Sequence, residues 1–188
     1  FVLGAVLTCI LTPIIRYFAL QKGFVDCPQR ARKVHEQATP RLGGAAILLS
    51  FIVVVSIASI TVSQLNKIFI GDNAVIGTIL FGSIGIFVIG FFDDLSRLSP
   101  RTKLLGEFLI AGLVVWGANL NFTSVQFLGL GSISFPEWLG FALSCLWIVG
   151  MANAINLIDG LDGLASGITL AGLIAVSVVG YLAGITSV

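Results

Sequence analysis

The chain has 188 residues, 57% of them hydrophobic and only 10% charged, with a mean hydropathy of +1.07, which excludes a soluble domain with a wetted surface. The apolar residues fall in unbroken runs near the ~20 residues that cross a bilayer as helix, which excludes an outer-membrane barrel of ~10-residue alternating strands. The net charge of +1 by itself says nothing about nucleic acid; the partners expected of so apolar a chain are the bilayer and its lipids, and no nucleic acid. The fold class is therefore all-α: a polytopic integral membrane helix bundle of about six transmembrane helices.

The first crossing is placed at 1–21 and the second at 42–62. Between them a polar connection holds Lys22, Arg30, Arg32, Lys33, His35 and Arg41, with Pro28 and Pro40 breaking helix on either side. The third crossing, 75–92, runs into Asp93 and Asp94; Arg97, Arg101 and Lys103 follow before the fourth, 104–120. A turn at Gly129, Leu130 and Gly131, among the β-favouring Phe122, Val125, Phe127, Ile133 and Phe135, predicts a short hairpin on the outer membrane face. The fifth crossing, 138–153, is short and is expected to be tilted or interrupted; the sixth occupies 164–184. Gly167, Ala171, Gly172, Ala175, Gly180 and Gly184 place this last helix deep in the bundle, because small residues let backbones approach in lipid.

Positive charge gathers on the first and third connections, while only Lys67 falls on the second or fourth. By the positive-inside rule the first, third and fifth connections are cytoplasmic and the amino terminus is outside. The expected location is the plasma (inner) membrane, with the active face cytoplasmic. The sequence opens on Phe1 and stops just after the last apolar run; the expectation is a single membrane domain over 1–188, the N-terminal portion of a longer enzyme. Cys9, Cys27 and Cys145 are scattered and suggest neither a disulfide framework nor a thiol zinc site.

Asp93 and Asp94 end the third helix, where the macrodipole is negative and favours cations. Two adjacent carboxylates there repel the dipole and each other unless a cation sits between them. The second polar cluster, "NAINLIDGLDGL" (153–164), holds Asn153, Asn156, Asp159 and Asp162 at every third position, with Gly160 and Gly163 between. A helix ending near Asp159, a glycine turn, and a new helix opening near Asp162 as its N-cap is the preferred picture. The N–H groups of such an opening suit an anion. A capped turn alone would explain Asp162 and the glycines but not Asn153, Asn156 and Asp159 in so apolar a setting. Asp93, Asp94, Asn156 and Asp159 are oxygen-only donors, which suit Mg²⁺, with Mn²⁺ possible, and a magnesium ion held by carboxylates implies a phosphate partner. Lys103, opening the next helix, is expected to face phosphate; Lys33 and His35 are candidates for a nucleotide contact. Walker, Rossmann and G-x-S-x-G motifs are absent from the sequence.

Three segments together resemble one family. "RKVHEQATPRLGG" (32–44), "FFDDLSRLSPRTKLLGE" (91–107) and "NAINLIDGLDGLASG" (153–167) are similar, in order and over most of the chain, to the polyprenyl-phosphate N-acetylhexosamine-1-phosphate transferases. The wording of the first is nearer to the N-acetylglucosamine branch than to the phospho-N-acetylmuramoyl-pentapeptide branch. The resemblance implies transfer of a sugar-1-phosphate from a UDP-amino sugar to a polyprenyl phosphate lipid in the bilayer, with release of UMP and with Mg²⁺, initiating a wall or surface glycan. It makes Asp93 and Asp94 the aspartate pair, Lys103 the phosphate-side lysine, and Asn156 and Asp159 the metal and nucleotide region. Asn153, Asp162, Gly163, Lys33 and His35 join the substrate-binding candidates, with Asp159 among the catalytic ones. A homodimer is compatible with this reading. The family's later metal-binding aspartate and histidine motif have no match here. The rivals are a muramoyl-pentapeptide transferase, a scaffold or assembly subunit without chemistry of its own and, from another class, a cation-coupled transporter, which would need carboxylates near the bilayer midplane.

Overall fold

A computed structural model describes residues 2–26, 39–40, 42–61, 74–127, 131–160 and 163–182. Among these residues, six helices and two strand pairs follow in order: α1 (Val2–Lys22), β1 (Val25–Asp26), β2 (Thr39–Pro40), α2 (Gly43–Thr61), α3 (Ala74–Ser96), α4 (Pro100–Gly117), β3 (Ser124–Phe127), β4 (Gly131–Ser134), α5 (Glu137–Ile158) and α6 (Leu164–Leu182). The chain divides into two compact units, Phe1–Cys145 and Leu146–Val188, with the boundary inside α5.

The protein is an all-α, multi-pass membrane protein. Among the described residues, four helices have the length and apolarity of a membrane span: Val2–Lys22, Val75–Ser96, Glu137–Ile158 and Leu164–Leu182. The apolar part of α2 is shorter, Gly43–Ala58, and α4 carries Arg101, Lys103 and Glu107 in its first half. Burial runs opposite to that of a water-soluble core. Small residues are inside, among them Ala19, Ala46, Ala111 and Ala118, while Trp116, Leu157 and Tyr181 stand outward at 78%, 86% and 82% exposure. Large apolar side chains cost nothing against lipid, and small ones let helices close on one another.

Within the first unit, α1 packs on α2, and α3 on both α2 and α4. α1 ends in a Schellman turn: Gly23 has φ +74°, Gly23 N–H donates to Leu20 O, and Phe24 N–H to Ala19 O at 2.9 Å. β1 then pairs antiparallel with β2, Val25 against Pro40 and Asp26 against Thr39, tying together the ends of the polar connection that the sequence offers only as a loop.

α3 and α4 form an antiparallel pair held by reciprocal notches. A Cβ on Gly82 would overlap Val114, and one on Gly85 would lie 2.7 Å from Ile110 Cδ1. Conversely, a Cβ on Gly106 would lie 3.0 Å from Ile89 Cδ1, and one on Gly117 3.1 Å from Thr78. Thr78–Gly117, Gly82–Val114, Gly85–Ile110 and Ile89–Gly106 thus form successive rungs, three or four residues apart on each helix, as helical faces require.

The expected hairpin is present: β3 and β4 pair antiparallel from Ser124 against Ser134 to Phe127 against Gly131. Its entry is fastened to α5, where Phe122 N–H donates to Ser144 Oγ at 3.0 Å. Gly140 leaves room there for the Phe122 carbonyl, which a Cβ would strike.

One expectation is corrected. α5 is continuous from Glu137 to Ile158; Asn153 satisfies its amide by donating to Val149 O at 3.0 Å, so a polar residue does not break it. α6 runs from Leu164 to Leu182 and carries Gly180 as its buried residue.

Candidate active site

Asp93 and Asp94 occupy the last turn of α3, and the backbone beyond them is set by local rules. Arg97 N–H donates to Asp93 O at 2.8 Å, and Arg97 has φ +50°. This is the left-handed stop that commonly ends helices, filled here by arginine in place of glycine. Two residues later Ser99 caps α4: its Oγ accepts from Thr102 N–H at 3.2 Å, and Pro100 takes the first helical position, where its missing N–H is no loss. The chain therefore reverses in three residues, 97–99, and brings Lys103 back over Asp93.

Lys103 Nζ donates to Asp93 Oδ2 at 2.8 Å, with side chains 18% and 26% exposed respectively. This ion pair is the next rung after Ile89–Gly106, so the helix spacing set by the glycine notches also sets the reach of the lysine. The cation that adjacent carboxylates at a helix end require is, for Asp93, this ammonium. Asp94 is exposed beside it. Glu107, one turn beyond Lys103, is buried at 5% exposure and follows the same helical face.

The first connection reaches the same end of the unit. Phe24, just past α1, meets Phe91 at 6.1 Å between ring centroids, and Phe91 stacks on Phe87 at 6.2 Å. The two positively charged connections thus share one end, as their charge predicts. Lys33 and His35, expected to contact nucleotide, lie outside the described residues, as does Asp162.

The second cluster belongs to the second unit. Asn153, half-buried, and the exposed Asn156 lie on the last turns of α5. Asp159 follows just past its end, with Asp159 N–H donating to Ile155 O at 3.0 Å. Gly163 has φ +80°, and its carbonyl accepts from Gly167 N–H at 2.9 Å and from Ser166 Oγ at 3.1 Å. Accepting the first intrahelical bond puts Gly163, rather than Asp162, at the N-cap of α6. The left-handed φ that this entry needs costs least at glycine.

Among the described residues, no three His, Cys, Asp or Glu side chains gather as a metal-binding group. The aspartate pair nonetheless fits Mg²⁺, an ion usually held by one or two carboxylates with water and substrate phosphates completing its shell. Reading by residue type missed Ser99, Gly85 and Gly106. Ser-Pro-x-Thr is a readable helix start, but nothing local marks which glycine receives a neighbour's side chain.

A model of the family described as glycosyl transferase family 4 matches residues 75–188. Among similar proteins, a "Probable undecaprenyl-phosphate N-acetylglucosaminyl 1-phosphate transferase" of Bacillus subtilis (strain 168) is 36% identical, over 98% of this chain and 48% of its own length. An "Undecaprenyl-phosphate alpha-N-acetylglucosaminyl 1-phosphate transferase" of Thermotoga maritima is 36% identical, over 88% of this chain and 47% of its own. A "Phospho-N-acetylmuramoyl-pentapeptide-transferase" of Staphylococcus aureus (strain JH9) is 28% identical, over 99% and 60%. The chain spans about half the length of the curated relatives it matches. No solved structure matches it.

Proposed function

Because the chain belongs to glycosyl transferase family 4, we propose that the enzyme of which it forms part transfers N-acetylglucosamine-1-phosphate from a UDP-sugar to a membrane polyprenyl phosphate. UMP leaves, and the lipid-linked sugar starts a wall or surface glycan. The observation that carries this reading is the Asp93–Lys103 pair with Asp94 beside it, at the end of apolar helices where a lipid phosphate and a soluble nucleotide can meet. The names of the relatives support the substrate class, and 36% identity against 28% favours the N-acetylglucosamine donor over the muramoyl-pentapeptide donor. The positively charged connections support a reading in which this end faces the cytoplasm, by the positive-inside rule, with the plasma membrane as the location.

A lipid phosphate oxygen attacks the β-phosphorus of the donor, the new P–O bond forms, and the pyrophosphate bond breaks with its electrons leaving on UMP. The lipid phosphate has a second pKa near ~6 and is largely dianionic at neutral pH, so no protein base is required to activate it. Asp94 and the Asp93 oxygen not engaged by Lys103 would hold Mg²⁺ (or Mn²⁺), which supplies charge neutralisation at the diphosphate. Lys103 keeps Asp93 in one rotamer and lowers the negative potential that would otherwise repel both substrates. Asn156 and Asp159 keep the metal and nucleotide roles that the resemblance gives them, and Lys33 and His35 those of nucleotide contacts.

The test is UMP release by the full-length enzyme given UDP-N-acetylglucosamine and polyprenyl phosphate. Asp94→Asn should abolish release while leaving the folded protein intact. Release from UDP-N-acetylmuramoyl-pentapeptide alone would transfer the assignment to the other branch, and no release from either donor would remove it.

A further inference from the structure

The opposite end of the first unit from Asp93 and Lys103 holds a cleft of about 580 Å³ lined by Trp116, Asn119, Asn121, Glu137, Trp138 and Phe141. Its walls follow from local structure. α4 ends in a Schellman turn in which Leu120 N–H donates to Val115 O and Asn119 N–H to Trp116 O. Asn119 takes the left-handed position at φ +52°, which asparagine tolerates better than most residues. The next residues are fastened to α5 through the Phe122–Ser144 bond and the missing Cβ of Gly140. That anchorage fixes the asparagines relative to Glu137 and Trp138, in and beside the first turn of α5.

The chemistry of the cleft is one-sided. Glu137 brings a carboxylate, and no lysine or arginine stands among the described residues that line the cleft. Asn121 Nδ2 donates to Asn119 Oδ1 at 3.4 Å, whereas Asn121 Oδ1 is buried with no hydrogen-bond partner among the described residues. A buried acceptor without a donor is destabilising and calls for one. Trp116 and Trp138 also line the cleft, and an indole face carries a negative quadrupole potential that attracts cations. A carboxylate, an unmet amide oxygen and aromatic faces all ask for the same thing: a cation carrying N–H donors.

We infer that this cleft binds the primary ammonium headgroup of an aminophospholipid, in the leaflet opposite the candidate active site. The ammonium meets Glu137 and, after a rotation of the Asn121 side chain that brings its amide oxygen to the cleft, Asn121 Oδ1, and the indole N–H groups and the Asn119 amide suit the phosphodiester. Two observations favour a lipid over a soluble amine. Trp116 and Trp138 are 78% and 71% exposed at helix ends, where indoles lie at headgroup level. The cleft is also within the roughly 300–1,000 Å³ of small-molecule sites, room for a headgroup rather than a lone ion. An ordinary aromatic belt would account for the tryptophans but not for the acid and the unmet acceptor between them.

The test needs no catalysis, so it stands apart from the transferase assignment. The full-length enzyme is reconstituted in vesicles containing phosphatidylethanolamine and treated with a carbodiimide, which joins a carboxylate to a primary amine as an amide and takes up the water lost. Coupling at Glu137 is compared with coupling at Asp94, an exposed carboxylate at the other end, each normalised to its reaction with a soluble amine. Glu137 should exceed Asp94 by about fivefold, the size of a partly exposed charge and cation–π contact. Trp138→Ala should remove most of that excess. Equal coupling at the two positions, or an unchanged excess in Trp138→Ala, overturns the site. Displacement of the lipid by millimolar free ethanolamine overturns the lipid assignment. In the unmodified protein, equal retention of phosphatidylglycerol and phosphatidylethanolamine by native mass spectrometry would also overturn it, since an anionic headgroup should be repelled by Glu137.

Discussion

Gly85→Ala probes whether the notches between α3 and α4 hold the helices at their spacing. The new Cβ would lie 2.7 Å from Ile110 Cδ1, 3.1 Å from Cγ1 and 3.3 Å from Cγ2. The closest approach is about 0.8 Å short of the ~3.5 Å at which carbon pairs begin to attract. Three atoms of a β-branched side chain are involved, so rotating only the tip of Ile110 does not relieve the crowding. Overpacking of this kind costs about 1–3 kcal/mol, and replacing glycine by alanine in a helix returns up to ~1 kcal/mol, leaving a net loss of about 0–3 kcal/mol. Gly90→Ala is the matched control: it lies on the same helix nearer to Asp93, and nothing stands within 4 Å of its Cβ position, so alanine there should be neutral or stabilising. The assay is thermal unfolding of the purified full-length protein, with UMP release measured in parallel. Gly85→Ala should unfold earlier than Gly90→Ala. Adding Ile110→Ala to it should recover part of the loss, as a coupling of about 0.5–3 kcal/mol between touching residues. The Asp93–Lys103 pair lies eight residues along α3, ~12 Å away, so the widened spacing should also lower activity in Gly85→Ala and not in Gly90→Ala. Identical behaviour of the two alanine variants would refute the notch reasoning.

Lys103→Met removes the partner of Asp93 and should destabilise the full-length protein by about 1–2 kcal/mol in thermal unfolding, between the values of exposed and buried pairs because both side chains keep some solvent access. Adding Asp93→Asn should cost little more, and full additivity would show that the pair contributes nothing. Thr78→Cys with Gly117→Cys should form a disulfide on oxidation, since a Cβ on Gly117 would lie 3.8 Å from Thr78 Cβ, near the ~3.8 Å mean of natural bridges. Gly90→Cys with Gly117→Cys should not, and mass spectrometry of digests separates the two outcomes. Gly140→Ala drives a Cβ into the Phe122 carbonyl, a backbone atom that cannot rotate aside, so the loss in thermal stability should reach the upper end of about 3 kcal/mol for overpacking; a loss no larger than that of Gly90→Ala would show that the hairpin entry is not anchored there.

Run length, charge distribution and turn chemistry are properties of neighbouring residues, and they were enough to identify a membrane helix bundle, its hairpin near Gly131, and the polar clusters around Asp93 and Asn156. The shared end of the two basic connections was likewise legible, because membrane orientation acts on every loop by the same charge rule. The continuity of α5 was not, since Asn153 bonds to Val149 O only once the helix exists. Nor was the partner of Asp93. Lys103 follows it by ten positions, and only the three-residue reversal that starts at Arg97 together with the notches at Gly82, Gly85 and Gly106 brings them to 2.8 Å. The same holds for the cleft at Glu137, whose members come from separate segments joined by the anchorage of Phe122 on α5. Such contacts depend on where two backbones stop approaching each other, which is decided by side-chain volume across a helix interface and leaves no trace in the spacing along either helix.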